Sequence, residues 1–198
     1  MALGLLWLCL TLLWTPKTQA QKFPFEVKSQ PSLSKAYLMS NFQPHQFQGV
    51  WHVIGWAQNT NVNESLSHMN MYHQNFELKD NGTYNVTSWW LSDQGCIPYV
   101  DTFVPTDLPG QYILKDVTRY KGLQNLTMRV MDSDYKRNAM VFYEAIVNNS
   151  VYIECVLYER NRWVNGELIW YFTGITMDMG FLFENIDSTI LKRSPTFT

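Results

Sequence analysis

The chain is poor in cysteine, in net charge and in long apolar runs, and each shortage excludes a class of protein. Three cysteines, Cys9, Cys96 and Cys155, are too few for a disulfide-rich scaffold. The formal net charge is −2, from 15 basic and 17 acidic residues, so we predict no nucleic-acid partner. No stretch after Trp14 approaches the length of a membrane-spanning helix, so we predict no membrane insertion of the mature chain.

Catalytic and metal-binding motifs are also missing. The sequence contains no Gly-x-Ser-x-Gly, His-Glu-x-x-His or Cys-x-x-Cys. Its four histidines are scattered, at positions 45, 52, 68 and 73, whereas metal sites usually bring ligands together at short, regular spacings. We therefore predict a protein that is not an enzyme and that has neither a metal site nor a cofactor.

Residues 1–20 have the pattern of a secretory signal peptide. Leu3 to Trp14 is almost wholly apolar, and Thr18 and Ala20 suit cleavage after Ala20. Removing Lys17 with this segment leaves 14 basic and 17 acidic residues, a net charge of −3. Secretion into the extracellular space would agree with five sequons that predict N-glycosylation, at Asn63, Asn81, Asn85, Asn125 and Asn148.

The remaining chain has the pattern of an all-β domain. Residues 21–45 contain three prolines and are predicted as an extended arm, 46–190 as one domain and 191–198 as a tail. Alternating apolar and polar residues predict eight strands, at 47–58, 71–79, 83–91, 96–104, 111–116, 123–131, 137–147 and 151–158. In the turn at Asp80-Asn81-Gly82, Asn81 and Gly82 are expected to supply positive φ angles.

This strand spacing predicts an eight-stranded antiparallel up-and-down barrel, because closing the sheet removes its exposed edges. One helix follows the eighth strand. Asn165 is its expected N-cap and Gly180 its expected end. An apolar stripe, formed by Leu168, Tyr171, Phe172, Ile175 and Met179, predicts that this C-terminal α-helix packs on the outside of the barrel.

Three short motifs carry a resemblance to a known family. Gly49-Val50-Trp51 opens the first strand, Ser133-Asp134-Tyr135 lies between the sixth and seventh strands, and Arg160 closes the eighth. In this order they resemble the three motifs of the lipocalins. The resemblance implies that Arg160 lies over the Trp51 indole as a cation–π pair and closes the barrel floor. It also implies a cup, or calyx, that carries or sequesters a small hydrophobic molecule.

The chain departs from the siderophore-binding branch of that family. Where the resemblance implies three cations for an anionic iron complex, this chain has Asp101, Ala145 and Glu154. Lost ion pairs and new like-charge contacts oppose such an anion, so we predict a neutral or cationic hydrophobic ligand instead. Both carboxylates could also point outward or pair with a nearby base, and that alternative stays open here.

Alternation along the strands predicts an aromatic lining for the calyx. The expected ligand-binding residues are Trp56, Tyr72, Trp90, Tyr99, Asp101, Leu126, Tyr143, Ala145, Tyr152, Glu154 and Tyr158. Large side chains could also fill the calyx themselves, which would make the protein an interaction or decoy protein. A siderophore-binding protein of innate immunity, as the resemblance implies, is a further alternative.

The cysteines and the assembly state give separate predictions. Cys96 and Cys155 fall on distant strands, so we expect no disulfide between them. Cys155 should point away from the calyx toward the helix, which argues against a thiolate catalyst inside the cup. We expect a monomer, with a Cys96-linked dimer as the alternative, and a cell-surface receptor is a partner that this interpretation leaves open.

Overall fold

A computed structural model describes residues 30–59, 70–92, 95–161 and 165–187. These residues form nine strands: β1 Gly49–Gln58, β2 Asn70–Leu78, β3 Tyr84–Ser92, β4 Gly95–Pro105, β5 Gln111–Leu114, β6 Leu123–Ser133, β7 Asn138–Val147, β8 Ser150–Glu159 and β9 Ile186–Asp187. Strands β2 to β8 pair in sequence order, and β1 pairs with both β8 and β2. The predicted closed eight-stranded antiparallel barrel is confirmed.

The short strand β9 was not predicted from the sequence. Its two residues pair with the upper part of β1, at Trp56 and Ala57. Gly55 makes this approach feasible, because a Cβ at this position would lie 3.3 Å from the Asp187 carbonyl oxygen and 3.6 Å from the Phe172 ring. A two-residue strand has no periodicity of its own, so only the docked structure reveals it.

The turns between strands show which residues adopt the left-handed conformation. Asn148 and Asn149, between β7 and β8, have φ angles of 49° and 64°, which suit a tight hairpin with the right-handed twist of its strands. The prediction for the Asn81-Gly82 turn was wrong in one respect. Only Gly82 has a positive φ, of 79°, whereas the Asn81 side chain accepts a hydrogen bond from the backbone N–H of Thr83.

Two α-helices flank the barrel. Helix α1 (Pro44–Phe47) is a single turn that begins at a proline, a residue preorganised for that position. Helix α2 (Gly166–Met179) begins where the Asn165 side chain accepts a hydrogen bond from the Glu167 N–H, and it ends at Gly180, which has a φ of 105°. Both predicted ends of α2 are confirmed. Single 3₁₀ turns occur at Leu33–Lys35, Val117–Arg119 and Phe183–Asn185.

The predicted apolar stripe of α2 is correct except at Tyr171. Phe172 and Met179 are buried as expected, but Tyr171 is 55% exposed, and Thr173 and Thr176 are buried instead. The two threonines satisfy their hydroxyls by donating to the backbone carbonyls of Ile169 and Phe172, one turn earlier. The buried face is therefore rotated toward residues that apolarity alone does not mark.

The barrel wall separates two apolar clusters. One fills the barrel interior, and the other lies between the outer surface of strands β6, β7, β8 and β1 and helix α2. Because alternate residues of a strand lie on opposite faces, Val156 and Tyr158 belong to the inner cluster while Cys155 and Leu157 belong to the outer one. Helix α2 thus packs outside the barrel, as predicted.

The N-terminal arm contacts the outer wall at Leu33 and Ala36, while Phe42 packs into the inner cluster. Arg129, a largely buried residue of β6, donates to the carbonyl oxygens of Leu33 and Ala36 at 2.7 and 2.9 Å. The Glu144 carboxylate accepts a hydrogen bond from the Leu33 N–H at 3.2 Å. A 3₁₀ turn lies within this segment, and helix α1 begins at its end.

Candidate functional site

The closed end of the barrel is built around Arg160. Its guanidinium carbon lies 3.6 Å from the Trp51 ring centroid, confirming the cation–π contact that the resemblance implied. The same guanidinium donates to the carbonyl oxygens of Val50, Gln48 and Phe47 at 2.8, 2.8 and 3.2 Å. Arg160 therefore ties the start of β1 to the end of β8.

Gly49 and the turn after β6 complete this closed end. Gly49 has a φ of 97°, which favours glycine, and a Cβ there would crowd the guanidinium of Arg160 at 3.2 Å. Asp134 accepts hydrogen bonds from three successive backbone N–H groups, those of residues 136 to 138. Tyr135, with a φ of 60°, offers its carbonyl oxygen to Arg160, and its hydroxyl accepts from the Gln43 N–H.

Above Trp51, the lower interior is filled by aromatic rings. Phe47 lies 5.2 Å from Trp51 and 5.1 Å from Phe76, and Tyr84 lies 5.0 Å from Tyr112, measured between ring centroids. Tilted and edge-to-face contacts of this kind are favourable beyond the area that they bury. Burial raises the pKa of Tyr112 to about 12, so its hydroxyl stays neutral. The lower barrel is a packed base.

A polar layer lies next to this base, and the sequence analysis missed it. The Gln74 side-chain oxygen accepts hydrogen bonds from the hydroxyls of Tyr158 and Tyr143, and its amide donates to Ser88 at 2.8 Å. The two tyrosyl oxygens are 3.1 Å apart. Burial raises the pKa of both tyrosines. The alternation of Gln74 with Phe76, an inner residue of the same strand, is the signal that could have revealed it.

Asp101 is paired within the protein. Its carboxylate accepts hydrogen bonds from the Tyr120 hydroxyl at 2.7 and 2.8 Å and lies 3.4 Å from an Arg119 nitrogen. Burial and the hydrogen bond to Asp101 raise the pKa of Tyr120 to about 12. A cavity of about 440 Å³ opens beside this group, also lined by Thr102, Leu114, Lys115, Asp116 and Arg119. The pairing matches the alternative in which a nearby base neutralises Asp101.

Glu154 has a different environment. It lies on the same face of β8 as Tyr158, and its carboxylate accepts one hydrogen bond, from the Gln58 side-chain amide at 3.0 Å. Loss of water around this carboxyl raises its pKa, and the Gln58 hydrogen bond offsets part of that rise. The side chain is half-buried, and no cation contacts it among the described residues.

The other predicted lining residues fall into three groups. Trp56, Leu126, Tyr143 and Ala145 are half-buried, and Tyr158 is fully buried. Tyr99 and Tyr152 are 43% and 44% exposed. The side chains of Tyr72 and Trp90 lie outside the described residues. The structure thus brings Tyr143, Tyr158 and Glu154 together and keeps Asp101 apart with Arg119.

The structure also places one cysteine and four of the five sequons. Cys155 is a buried free thiol in the outer cluster, 3.9 Å from the Met131 sulfur, as expected for a cysteine pointing toward α2. The predicted signal peptide, Asn63, the Cys96 side chain and the predicted tail lie outside the described residues. Among the remaining sequons, Asn81 and Asn148 are exposed, while Asn85 and Asn125 are half-buried.

Two other kinds of site are absent from the described ranges. Among residues 30–59, 70–92, 95–161 and 165–187, no three histidine, cysteine or carboxylate side chains cluster as a metal site would require. In the same ranges, no helix has both the length and the apolar character needed to cross a membrane.

Comparisons with known proteins agree with this architecture. The model of the lipocalin / cytosolic fatty-acid binding protein family matches residues 48–191. Human neutrophil gelatinase-associated lipocalin is 38% identical over 180 residues, 91% of each chain. Sheep prostaglandin-H2 D-isomerase is 25% identical over 79% of this chain and 81% of its own.

A solved structure gives the same result. The solution structure of lipocalin 12 from rat epididymis superposes with a TM-score of 0.65 at 25% sequence identity, covering 79% of this chain and 89% of that one. The family match spans well over half of the chain and includes the barrel, its closing motifs and α2. This chain therefore belongs to the lipocalin family.

Proposed function

We propose that this protein is a secreted lipocalin that carries or sequesters a small hydrophobic molecule, neutral or cationic, and that it is not an enzyme. The environment of Glu154 carries the proposal. This carboxylate shares the inner face of β8 with Tyr158 and has one hydrogen-bond partner, Gln58. A partly desolvated carboxylate attracts a cation and repels an anion more strongly than an exposed one.

The other two family cation positions also favour a neutral or cationic ligand over an anion. Ala145 offers no charge, and Asp101 is already paired with Arg119 and accepts a hydrogen bond from the Tyr120 hydroxyl. A trianionic catecholate complex would therefore meet one carboxylate and no compensating cation from these three positions. Each lost ion pair removes about 1 kcal/mol or more in such a setting. Siderophore capture is therefore disfavoured. It is the alternative function that the resemblance to siderophore-binding lipocalins suggests.

The proposed test compares two ligands of equal chain length, dodecylammonium and dodecanol, by isothermal titration calorimetry on the secreted protein. Glu154→Gln should weaken dodecylammonium binding about tenfold, the equivalent of one ion pair of about 1.4 kcal/mol, and leave dodecanol within twofold. Asp101→Asn is the matched control, and it should change neither affinity by more than about twofold because Asp101 is already paired.

Three results would contradict the proposal. An unchanged preference in Glu154→Gln would show that this carboxylate does not select the ligand. Tight binding of a ferric tri-catecholate to the unmodified protein would show that the lost cations do not matter. Failure of both ligands to bind would remove the carrier function itself.

A second candidate function is an interaction protein whose calyx is filled by its own side chains. The hydrogen-bonded layer of Gln74, Ser88, Tyr143 and Tyr158 favours it, because this layer joins strands β2 and β3 to β7 and β8 across the interior. Native mass spectrometry of the secreted protein separates the two functions. A carrier should retain a bound small molecule or take one up, and a self-filled barrel should do neither.

A further inference from the structure

The solvent face of helix α2 exposes two large aromatic side chains. Trp170 is 75% exposed and the adjacent Tyr171 is 55% exposed, while Phe172 on the opposite face is fully buried against the barrel. Tryptophan is highly buried on average, and exposed clusters of apolar side chains commonly mark interaction sites. Neither side chain is needed for packing α2 onto the barrel.

Gly174 lies beside these aromatics and has no structural reason to be glycine. It is four residues after Trp170 and three after Tyr171, so the three positions share one helix face. A Cβ at this position would meet no neighbouring atom within 4 Å. Glycine inside a helix costs about 1 kcal/mol relative to alanine. Glycine therefore lowers the stability of α2 without allowing closer packing. The missing side chain leaves a notch next to the exposed Trp170 ring.

The two charged residues of α2 itself are both acidic, and the Lys35 ammonium lies at the end of the helix, where it donates to the Met179 carbonyl oxygen at 3.2 Å. Glu167 precedes the aromatics by one turn, and Asp178 follows Gly174 by one turn, so both lie on the same stripe of α2. The helix sequence contains no lysine or arginine. We call the stripe of Glu167, Trp170, Tyr171, Gly174 and Asp178 the α2 surface. It combines an aromatic wall, a notch and two carboxylates.

A second copy of this chain is a poor match for the α2 surface. In a dimer with twofold symmetry, the two α2 helices could pack antiparallel, with Tyr171 of one copy opposite Gly174 of the other. The same register places Glu167 of each copy opposite Asp178 of its mate, because both residue pairs have the same midpoint along the helix. Two such like-charge contacts oppose association. The charges instead complement a basic partner.

We propose that the α2 surface docks a segment of a partner protein through a lysine or arginine side chain. The aliphatic stem of that side chain lies along the Trp170 ring in the Gly174 notch, and its cation reaches Asp178 or Glu167. Long basic side chains combine apolar contact along the stem with charge at the tip, and a cation near an indole face gains a further attraction. This interaction is separate from ligand binding in the calyx.

The probe is a synthetic helical peptide of alanine, leucine and lysine, compared with the same peptide carrying glutamate in place of lysine. Binding is followed on the full mature protein by changes in amide NMR signals during titration. The lysine peptide should perturb residues of the α2 surface, and its affinity should fall as salt increases. The glutamate peptide should bind at least tenfold more weakly.

Variants make the test specific. Gly174→Leu fills the notch and Trp170→Ser removes the aromatic wall, so each should weaken binding at least tenfold. Leu108→Ser is the control for Trp170→Ser, because Leu108 is 42% exposed but lies in the loop between β4 and β5 rather than on α2; its affinity should stay within twofold. Gly174→Leu should also raise the urea midpoint of unfolding, which separates lost binding from lost folding.

The proposal would be overturned by any of four results. Equal binding of both peptides would remove the role of charge, and perturbations away from α2 would remove the site. A concentration-dependent dimer that Gly174→Leu abolishes would identify a second copy as the occupant. A tenfold gain in peptide affinity on removing residues 188–198 would identify the chain's own end instead.

Discussion

At the scale of single residues, Arg160 closes the lower end of the barrel through contacts from several chain segments. Its guanidinium meets Trp51 of β1, the carbonyls that precede and begin β1, and the Tyr135 carbonyl after β6. The planar fork of arginine can serve these acceptors together, whereas a lysine ammonium can reach only some of them. The residue therefore acts as a connection among segments that are distant in sequence.

Arg160→Lys should lower the free energy of unfolding by about 2–3 kcal/mol, because hydrogen bonds from a charged donor and the ring contact are both reduced. Urea unfolding of the two proteins measures this loss. Arg137→Lys is the control, since Arg137 is 77% exposed and makes one 3.5 Å ion pair, and a loss of less than about 0.5 kcal/mol is expected. Equal losses in the two variants would contradict this role of Arg160.

At the scale of elements, local signals determine the ends of α2, and packing determines which face it buries. Asn165 and Gly180 fix the ends of the helix through a side-chain cap and a left-handed residue. The burial of Phe172 against the barrel fixes its orientation, and a buried phenylalanine contributes about 1.5–3 kcal/mol. The ends are thus local properties, while the buried face depends on the shape of the outer wall.

Replacing either end residue should loosen α2 without opening the barrel. Asn165→Ala should cost about 1 kcal/mol, and Gly180→Ala should cost about the same or more because alanine is strained at a φ of 105°. Amide hydrogen exchange by NMR is the measurement, and faster exchange should be confined to the helix. Exchange that accelerates equally in β7 and β8 would show that α2 and the barrel unfold as one unit.

At the scale of the whole molecule, two carboxyls have raised pKa values and oppose stability at neutral pH. Loss of water raises the pKa of Glu154 above its ordinary value of 4.5, with a partial offset from Gln58. Loss of water also raises the pKa of Glu159, against the influence of Arg137. The folded state then binds more protons than the unfolded state above pH 4.5, so stability falls as pH rises through this range.

The unfolding free energy of Glu154→Gln should therefore decline less between about pH 5 and pH 8 than that of the unmodified protein. Urea titrations at several pH values provide the comparison.

Asp134 is the control, because its pKa is shifted in the opposite direction. Burial raises its pKa, but hydrogen bonds from three backbone N–H groups outweigh burial and lower the pKa overall. Asp134→Asn should therefore leave the slope over the same pH range unchanged, and a slope altered as much as in Glu154→Gln would contradict this account.

Much of the barrel was predictable because its signals are local. Alternation marks eight strands, and the three motifs marked by Gly49, Asp134 and Arg160 indicate the family. The candidate site was harder to predict. Gln74 and Ser88 are polar, so apolar alternation does not mark them as interior residues. The partners of Gln74 on the other side of the interior, Tyr143 and Tyr158, come from strands distant in sequence. Hydrogen bonds between distant strands leave no periodic trace in a sequence.

The strand pattern, the ends of α2 and the residue types at the three family cation positions are local properties of the chain, because turn residues, caps and side-chain types act within a few residues. The role of those charges depends on the folded barrel. Asp101 is paired because Arg119 lies beside it and Tyr120 donates a hydrogen bond to it, whereas the one hydrogen-bond partner of Glu154 is the neutral Gln58 of β1. The effective charge of a side chain depends on its neighbours in space, and those are set only when the barrel closes.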